Sequence, residues 1–136
     1  MTLTPGARST VVDVQIKELA DRAGVTVKAV RYYESRGLLT PARASNGYRE
    51  YDAADVRVVR EIRALLSLGL TADETVPFVD CLRAGNDRAD VCPSSLDAYR
   101  MRIADIERRI TELATLRDEL TELLHDAESY RPKEKP

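Results

Sequence analysis

The sequence predicts a mainly α fold: a winged helix-turn-helix head followed by one long C-terminal coiled-coil helix that dimerises the chain. Three observations predict it. Two short amphipathic patterns, separated at Gly24 and closed at Gly37, make two helices joined by a tight turn. An Asn46-Gly47 dipeptide between two short runs then makes a hairpin. From Leu96 onward, apolar residues recur at alternating steps of three and four, which is a heptad seam.

Residues 1–12 hold Pro5 and Gly6 without periodicity and are expected to be a disordered tail. The winged head is expected over 13–82. From Val14 on, Ile16, Leu19, Ala20 and Ala23 share one helical face, and Gly24 stops the helix as a left-handed residue past its end. Thr26 is the N-cap of a second helix running from Val27 to the region of Arg36. That helix exposes Lys28, Arg31, Tyr32 and Tyr33, residue types suited to a DNA surface. The basic hairpin around Asn46-Gly47, directly after a helix-turn-helix, is a wing that can straddle a phosphate backbone. Asp52 and Asp55 suit the start of the next helix. Val56, Val59, Ile62, Leu65 and Leu66 form its apolar face, beside a row of Arg57, Arg60 and Arg63. Thr71 caps a short helix in which Pro77 requires a kink or a late start near Thr75.

Residues 83–92 read as a polar connecting loop that turns at Gly85-Asn86. Pro93 suits a first helical turn and opens a dimerisation helix over 93–129. Leu96, Tyr99, Ile103, Ile106, Ile110, Leu113 and Leu120 lie on its seam. The helix is ~50 Å long at 1.5 Å per residue. The head is too small to cover that length, so a second copy of the chain is expected to bury the stripe. Residues 130–136 are expected to be a second disordered tail.

Charged residues make up 32% of the chain and hydrophobic ones 43%, which is a folded composition. No apolar run approaches ~18 residues, so no membrane span is expected. Residues 1–10 lack the apolar centre of a secretion signal, so a cytoplasmic address is expected. Two Cys in a reducing compartment argue against a disulfide framework. A single His, no phosphate loop and no clustered nucleophile and base argue against an enzyme. The net charge of −2 speaks against a nucleic-acid partner until it is divided. Residues 1–70 carry 11 Lys and Arg against 8 Asp and Glu, a net of +3, and four of the six tyrosines. Residues 71–136 carry 10 against 15, a net of −5.

The segment from Val14 to Leu39 resembles the opening of MerR-type transcriptional regulators. The motifs that carry the likeness are Arg31-Tyr32-Tyr33-Glu34, Gly37-Leu38-Leu39, Gly47-Tyr48-Arg49-x-Tyr51 and Gly69-Leu70-Thr71-Ala72-Asp73-Glu74. It covers residues 14–79 closely and the long helix in type. The resemblance implies an antiparallel coiled-coil homodimer that binds pseudo-palindromic promoter DNA with an overlong spacer. It also implies that effector binding bends and untwists that DNA for RNA polymerase, so that deformation is the regulated quantity. By motif position, Lys28, Arg31, Tyr32, Tyr48 and Arg49 look like DNA contacts. Arg60 and Arg63 are weaker phosphate candidates. For Tyr33, packing against the wing competes with a DNA contact.

Among sensing classes, the resemblance argues against a separate drug-binding domain, a four-cysteine iron–sulfur centre and a metal loop after the long helix, since 126–136 has no Cys or His. Cys81 and Cys92, with ten residues between them around the polar loop, remain as candidate sensor thiols. A redox switch, a thiolate-bound metal ion and a purely structural pair all compete for them. His125 lies far along the long helix, where a surface position is expected. The alternative function is an architectural or excisionase-like DNA-bending protein with no effector.

Overall fold

A computed structural model describes residues 15–40, 42–43 and 49–133, the strand residues 42–43 and 49–50 by backbone alone. Helix α1 (residues 15–23) buries Ile16, Leu19, Ala20 and Ala23, the predicted face. It ends at Gly24, whose φ of 72° lets the Val25 N–H turn back and donate to the Ala20 carbonyl at 2.9 Å. Two residues later the Thr26 hydroxyl oxygen accepts from the Ala29 N–H at 3.1 Å and starts α2 (Val27–Ser35). This hand-over from a C-terminal glycine to an N-capping threonine makes the tight turn of the helix-turn-helix. Helix α2 buries Val30 and Tyr33 in the core shared with α1 and the following helix.

Strands β1 (Ala42–Arg43) and β2 (Arg49–Glu50) pair antiparallel, with Ala42 opposite Glu50 and Arg43 opposite Arg49. The Asn46-Gly47 turn and Tyr48 lie outside the described residues. Helix α3 (Ala53–Ser67) opens on a reciprocal cap. Asp52 accepts from the Asp55 N–H at 3.0 Å, and Asp55 accepts from the Asp52 N–H at 2.9 Å. Its buried face is Val56, Val59, Ile62 and Leu65, as predicted, widened by Val58, while Leu66 is half-buried.

After α3, Thr71 and Glu74 cap each other reciprocally at 2.9 and 3.2 Å ahead of a 3-10 turn at Asp73–Thr75. Helix α4 (Val76–Arg83) starts only then, with Pro77 in its first turn, where the missing N–H costs no helical bond. The late start predicted from Pro77 is what the chain adopts. Phe78 is fully buried, and Val79 and Cys81 are nearly so. Helix α5 (Pro93–Ser129) runs 37 residues, roughly 55 Å at 1.5 Å per residue.

The chain divides into two units, Met1–Ala98 and Tyr99–Pro136. The first holds the core of α1, α2, α3 and α4 together with the loop after α4 and the opening turns of α5. In the second, Ile103, Ile106, Ile110, Leu113 and Leu120 are all exposed, Ile106 least at 39%. No helix among the described residues is long and apolar enough to cross a membrane.

Candidate nucleic-acid interface and cysteine pair

Helix α2 has a buried side and an open side. Val30 and Tyr33 face the core, so Lys28, Arg31 and Tyr32, at neighbouring helical angles, are exposed, Tyr32 by half. Tyr33 is 4% exposed and packs in the core, with its ring tilted 58° to that of Tyr32 at 6.2 Å. Burial pushes its phenol pKa up, against the pull of the nearby Arg63 guanidinium, and Tyr32 adds slightly to the rise. Between a DNA contact and packing, the structure gives Tyr33 to packing.

Two further contacts fix this surface. The Tyr51 hydroxyl, at the base of the wing, donates to the Glu34 carboxylate of α2. Arg36, the C-cap of α2, pairs with Asp73 at 2.7 Å. Thus Glu34, Arg36 and Tyr51 hold α2 to its neighbours. Their role was not legible in the sequence, where only helical position and motif could be read. Arg49 lies on β2, opposite Arg43 across the hairpin.

Two arginines of the α3 row donate to carbonyls of the chain itself. Arg60 donates through Nη2 and Nε to the Arg22 carbonyl at 2.8 and 3.3 Å, which satisfies an end carbonyl of α1. Arg57 donates through Nη2 to the Asp87 carbonyl at 2.6 Å, so α3 is tied to the loop after α4. That loop also meets Glu61, whose carboxyl pKa is raised by burial and by the neighbouring Asp90. The hydrogen bond from Arg88 holds the Asp90 carboxyl pKa below its usual range.

The loop is closed at its base, because Cys81 of α4 is bonded to Cys92 with a Cα–Cα distance of 6.0 Å. The sequence argues against a disulfide framework, and one local bond is not a framework. Proximity of the two residues follows from the turn between α4 and α5. The surroundings of the two sulfurs differ. Cys81 is 2% exposed, and its Sγ lies 3.5 Å from the Arg88 carbonyl. Cys92 is half-buried at the residue before α5, and the Asn86 side-chain amide donates to its Sγ at 3.5 Å. The same amide donates to the Cys81 carbonyl at 2.9 Å. Ser95, fully buried in the first turn of α5, donates to the Ala89 carbonyl at 2.7 Å and reaches the Pro77 carbonyl at 3.4 Å. Nothing in the sequence marks Ser95, which reads as an ordinary first-turn serine.

No group of three or more His, Cys, Asp or Glu side chains fit to hold a metal ion comes together among the described residues. The Cys81–Cys92 pair offers two sulfurs once reduced, and His125 is exposed on α5 away from them in sequence. That donor set does not fit a closed three- or four-ligand site.

Comparison with known proteins decides the family. Residues 14–75 match the model of the MerR HTH family regulatory protein. The transcriptional regulator HmrR of Rhizobium leguminosarum bv. viciae is 36% identical over 112 residues, covering 82% of this chain and 84% of that one. The chain belongs to the MerR family. Transcription regulation and DNA binding follow from that membership. Among solved structures, the transcription regulator PbrR691 from Ralstonia metallidurans CH34, in complex with lead(II), superposes with a TM-score of 0.62. It is 30% identical, covering 88% of this chain and 89% of that one. HiNmlR, a MerR family regulator lacking the sensor domain and bound to promoter DNA, shares the fold at a TM-score of 0.51 and 21% identity. That likeness covers 76% of this chain and 77% of HiNmlR.

Proposed function

We propose that the chain is a cytoplasmic, dimeric regulator that binds pseudo-palindromic promoter DNA and controls transcription by distorting the promoter spacer for RNA polymerase. The observation that carries the DNA reading is the open side of α2. Lys28 and Arg31 stand three residues apart and exposed, beside a half-exposed Tyr32, on a helix whose opposite side is locked into the core. Lys28 and Arg31 can reach a phosphate and a base edge together. Tyr48 and Arg49 of the wing are proposed to take the flanking phosphates. The promoter-bound HiNmlR lends support through its shared fold.

The dimer reading rests on the exposed stripe from Ile103 to Leu120, which a second α5 running antiparallel would bury together with Leu96 and Tyr99. Cys81 and Cys92 are proposed to receive the signal. The bonded pair favours this over an architectural protein that bends DNA without sensing. A soft metal ion, as in the lead(II) complex of PbrR691, is a second reading for the reduced thiols. Here it would find two sulfurs and an amide donor.

Lys28→Ala and Arg31→Ala test the interface. Each is expected to weaken binding to a duplex selected from a random pool by about 1–3 kcal/mol, while the melting profile is unchanged. Arg31→Ala should also relax base preference. Unchanged affinity in a gel-shift titration would remove α2 from the interface.

A further inference from the structure

We propose that Cys81 and Cys92 are a two-electron thiol switch for hydroperoxides, in which Cys92 attacks the oxidant and Cys81 resolves. The proposal deepens the regulatory reading above and rests on it only for what the switch controls.

The roles follow from the asymmetry around the two sulfurs. Cys92 sits at the residue before α5, and its carbonyl accepts from the Ser95 and Leu96 N–H groups at 3.0 and 3.2 Å. Its thiol is therefore at the positive end of a long helix, which favours the thiolate. The Asn86 amide, donating to the same sulfur, favours the thiolate again. Cys92 is also the more accessible of the two, because Cys81 is 2% exposed on the inner side of α4. The group facing the Cys81 sulfur is an acceptor, the Arg88 carbonyl, which favours a protonated thiol. The surroundings thus suit Cys92 to act as the nucleophile and shield Cys81 for the resolving step. The backbone already holds the pair for bonding, since 6.0 Å between Cα atoms is within the range that disulfides span.

The chemistry balances with the hydroperoxide as oxidant. The Cys92 thiolate attacks the terminal peroxide oxygen, the O–O bond breaks, and the leaving alkoxide takes a proton to become the alcohol. Cys92 is then a sulfenic acid. The Cys81 sulfur displaces the hydroxyl from it, and the thiol proton leaves with that hydroxyl as water. The two thiols lose two electrons and the peroxide gains them. A dithiol reductant reverses the bond by exchange.

The bond is placed where it can be felt. It closes residues 81–92 into a ring, and that ring touches both of its neighbours. The Asp87 carbonyl takes Arg57 of α3, and the Ala89 carbonyl takes the buried Ser95 of α5. Opening the ring releases the constraint on both contacts at once. One side leads to α3, which shares its core with α2, and the other to the start of the long helix.

The experiment uses the full chain, reduced with a dithiol in the presence of a chelator and then treated with one equivalent of tert-butyl hydroperoxide. The expected product is a subunit lighter by two hydrogen atoms, migrating as a monomer on a non-reducing denaturing gel. Cys81→Ser is expected to stop at the sulfenic acid on Cys92, captured by a 1,3-dione probe, and Cys92→Ser to give no adduct. Cys81→Ala serves if a buried serine prevents folding. Oxidation should change the affinity or the bend angle of the selected duplex several-fold, and the double Ser variant should be blind to it. An unchanged mass, an adduct on Cys81 instead, a disulfide between subunits, or thiols that hold a soft metal ion and ignore peroxide each overturn the proposal. If the mass falls as expected but no duplex is ever selected, the switch stands and the DNA reading fails. If a duplex is selected but the mass does not change, the DNA reading stands and the switch fails.

Discussion

Asp55 illustrates how one residue changes meaning between sequence and structure. In the sequence it is an acidic residue in a first helical turn. In the fold its side chain is 6% exposed, accepts the Asp52 N–H, and pairs with Arg83 of α4 at 3.1 Å. A carboxylate removed from water this far requires partners, and it has a backbone donor and a guanidinium. The pair joins the start of α3 to the end of α4, the helix that carries Cys81. Asp55→Ala is expected to cost about 2 kcal/mol, from the lost cap and the lost ion pair together. A urea melt reads this directly, and a loss below about 0.5 kcal/mol would mean that the pair contributes no more than an exposed one does. Arg60 is a second case. In the sequence it reads, with Arg63, as a phosphate candidate, yet its guanidinium is bound to the last turn of α1.

Among the elements, α5 is set most firmly by local pattern and explained least by its own chain. Good helix formers, a proline at its first position and charged outer faces make it a helix. Among the described residues of the second unit nothing covers its apolar stripe, where Ile103, Ile110, Leu113 and Leu120 are each more than half exposed. Isolated helices gain their stability from a buried face, so the stripe is expected to be an interface. Ile106→Asp combined with Ile110→Asp should convert the dimer to monomer in sedimentation velocity. A persistent dimer would move the interface elsewhere. The short α4 is the converse case. It would be unstable alone, and it is held by Phe78 in the core, the Arg83–Asp55 pair and the Cys81 bond. The sequence could predict its late start from Pro77, because a missing N–H is a local fact.

On the scale of the whole molecule, residues 1–70 carry a net charge of +3 and residues 71–136 one of −5, and the overall −2 hides both. Binding to DNA should therefore be salt-dependent without being strong. With Lys28 and Arg49 on phosphates, about four phosphate contacts per dimer and a slope of log K against log salt of about −4 are expected. A slope of about −5 would mean that Arg60 leaves the Arg22 carbonyl for a phosphate on the duplex.

Much of this protein was determined by its sequence alone. Gly24 and Thr26 fix the helix-turn-helix, Asp52 fixes the start of α3, Pro93 opens the long helix, and its heptad spacing defines the stripe, whereas Thr71 bonds Glu74 and α4 starts only after Thr75. These are all local effects: caps, left-handed glycines and periodicity act within a turn or two of the chain. Tertiary structure alone decided the rest, because it depends on residues far apart in sequence. It turned Tyr33 into the core, gave Arg57 and Arg60 their carbonyl partners, and joined Glu34 to Tyr51. It brought Cys81 and Cys92 together and gave one sulfur a donor and the other an acceptor. Spacing along the chain says nothing about distance or hydrogen-bond polarity. Those come from the turn of the loop and the packing of α4 against α3, which only the folded chain supplies.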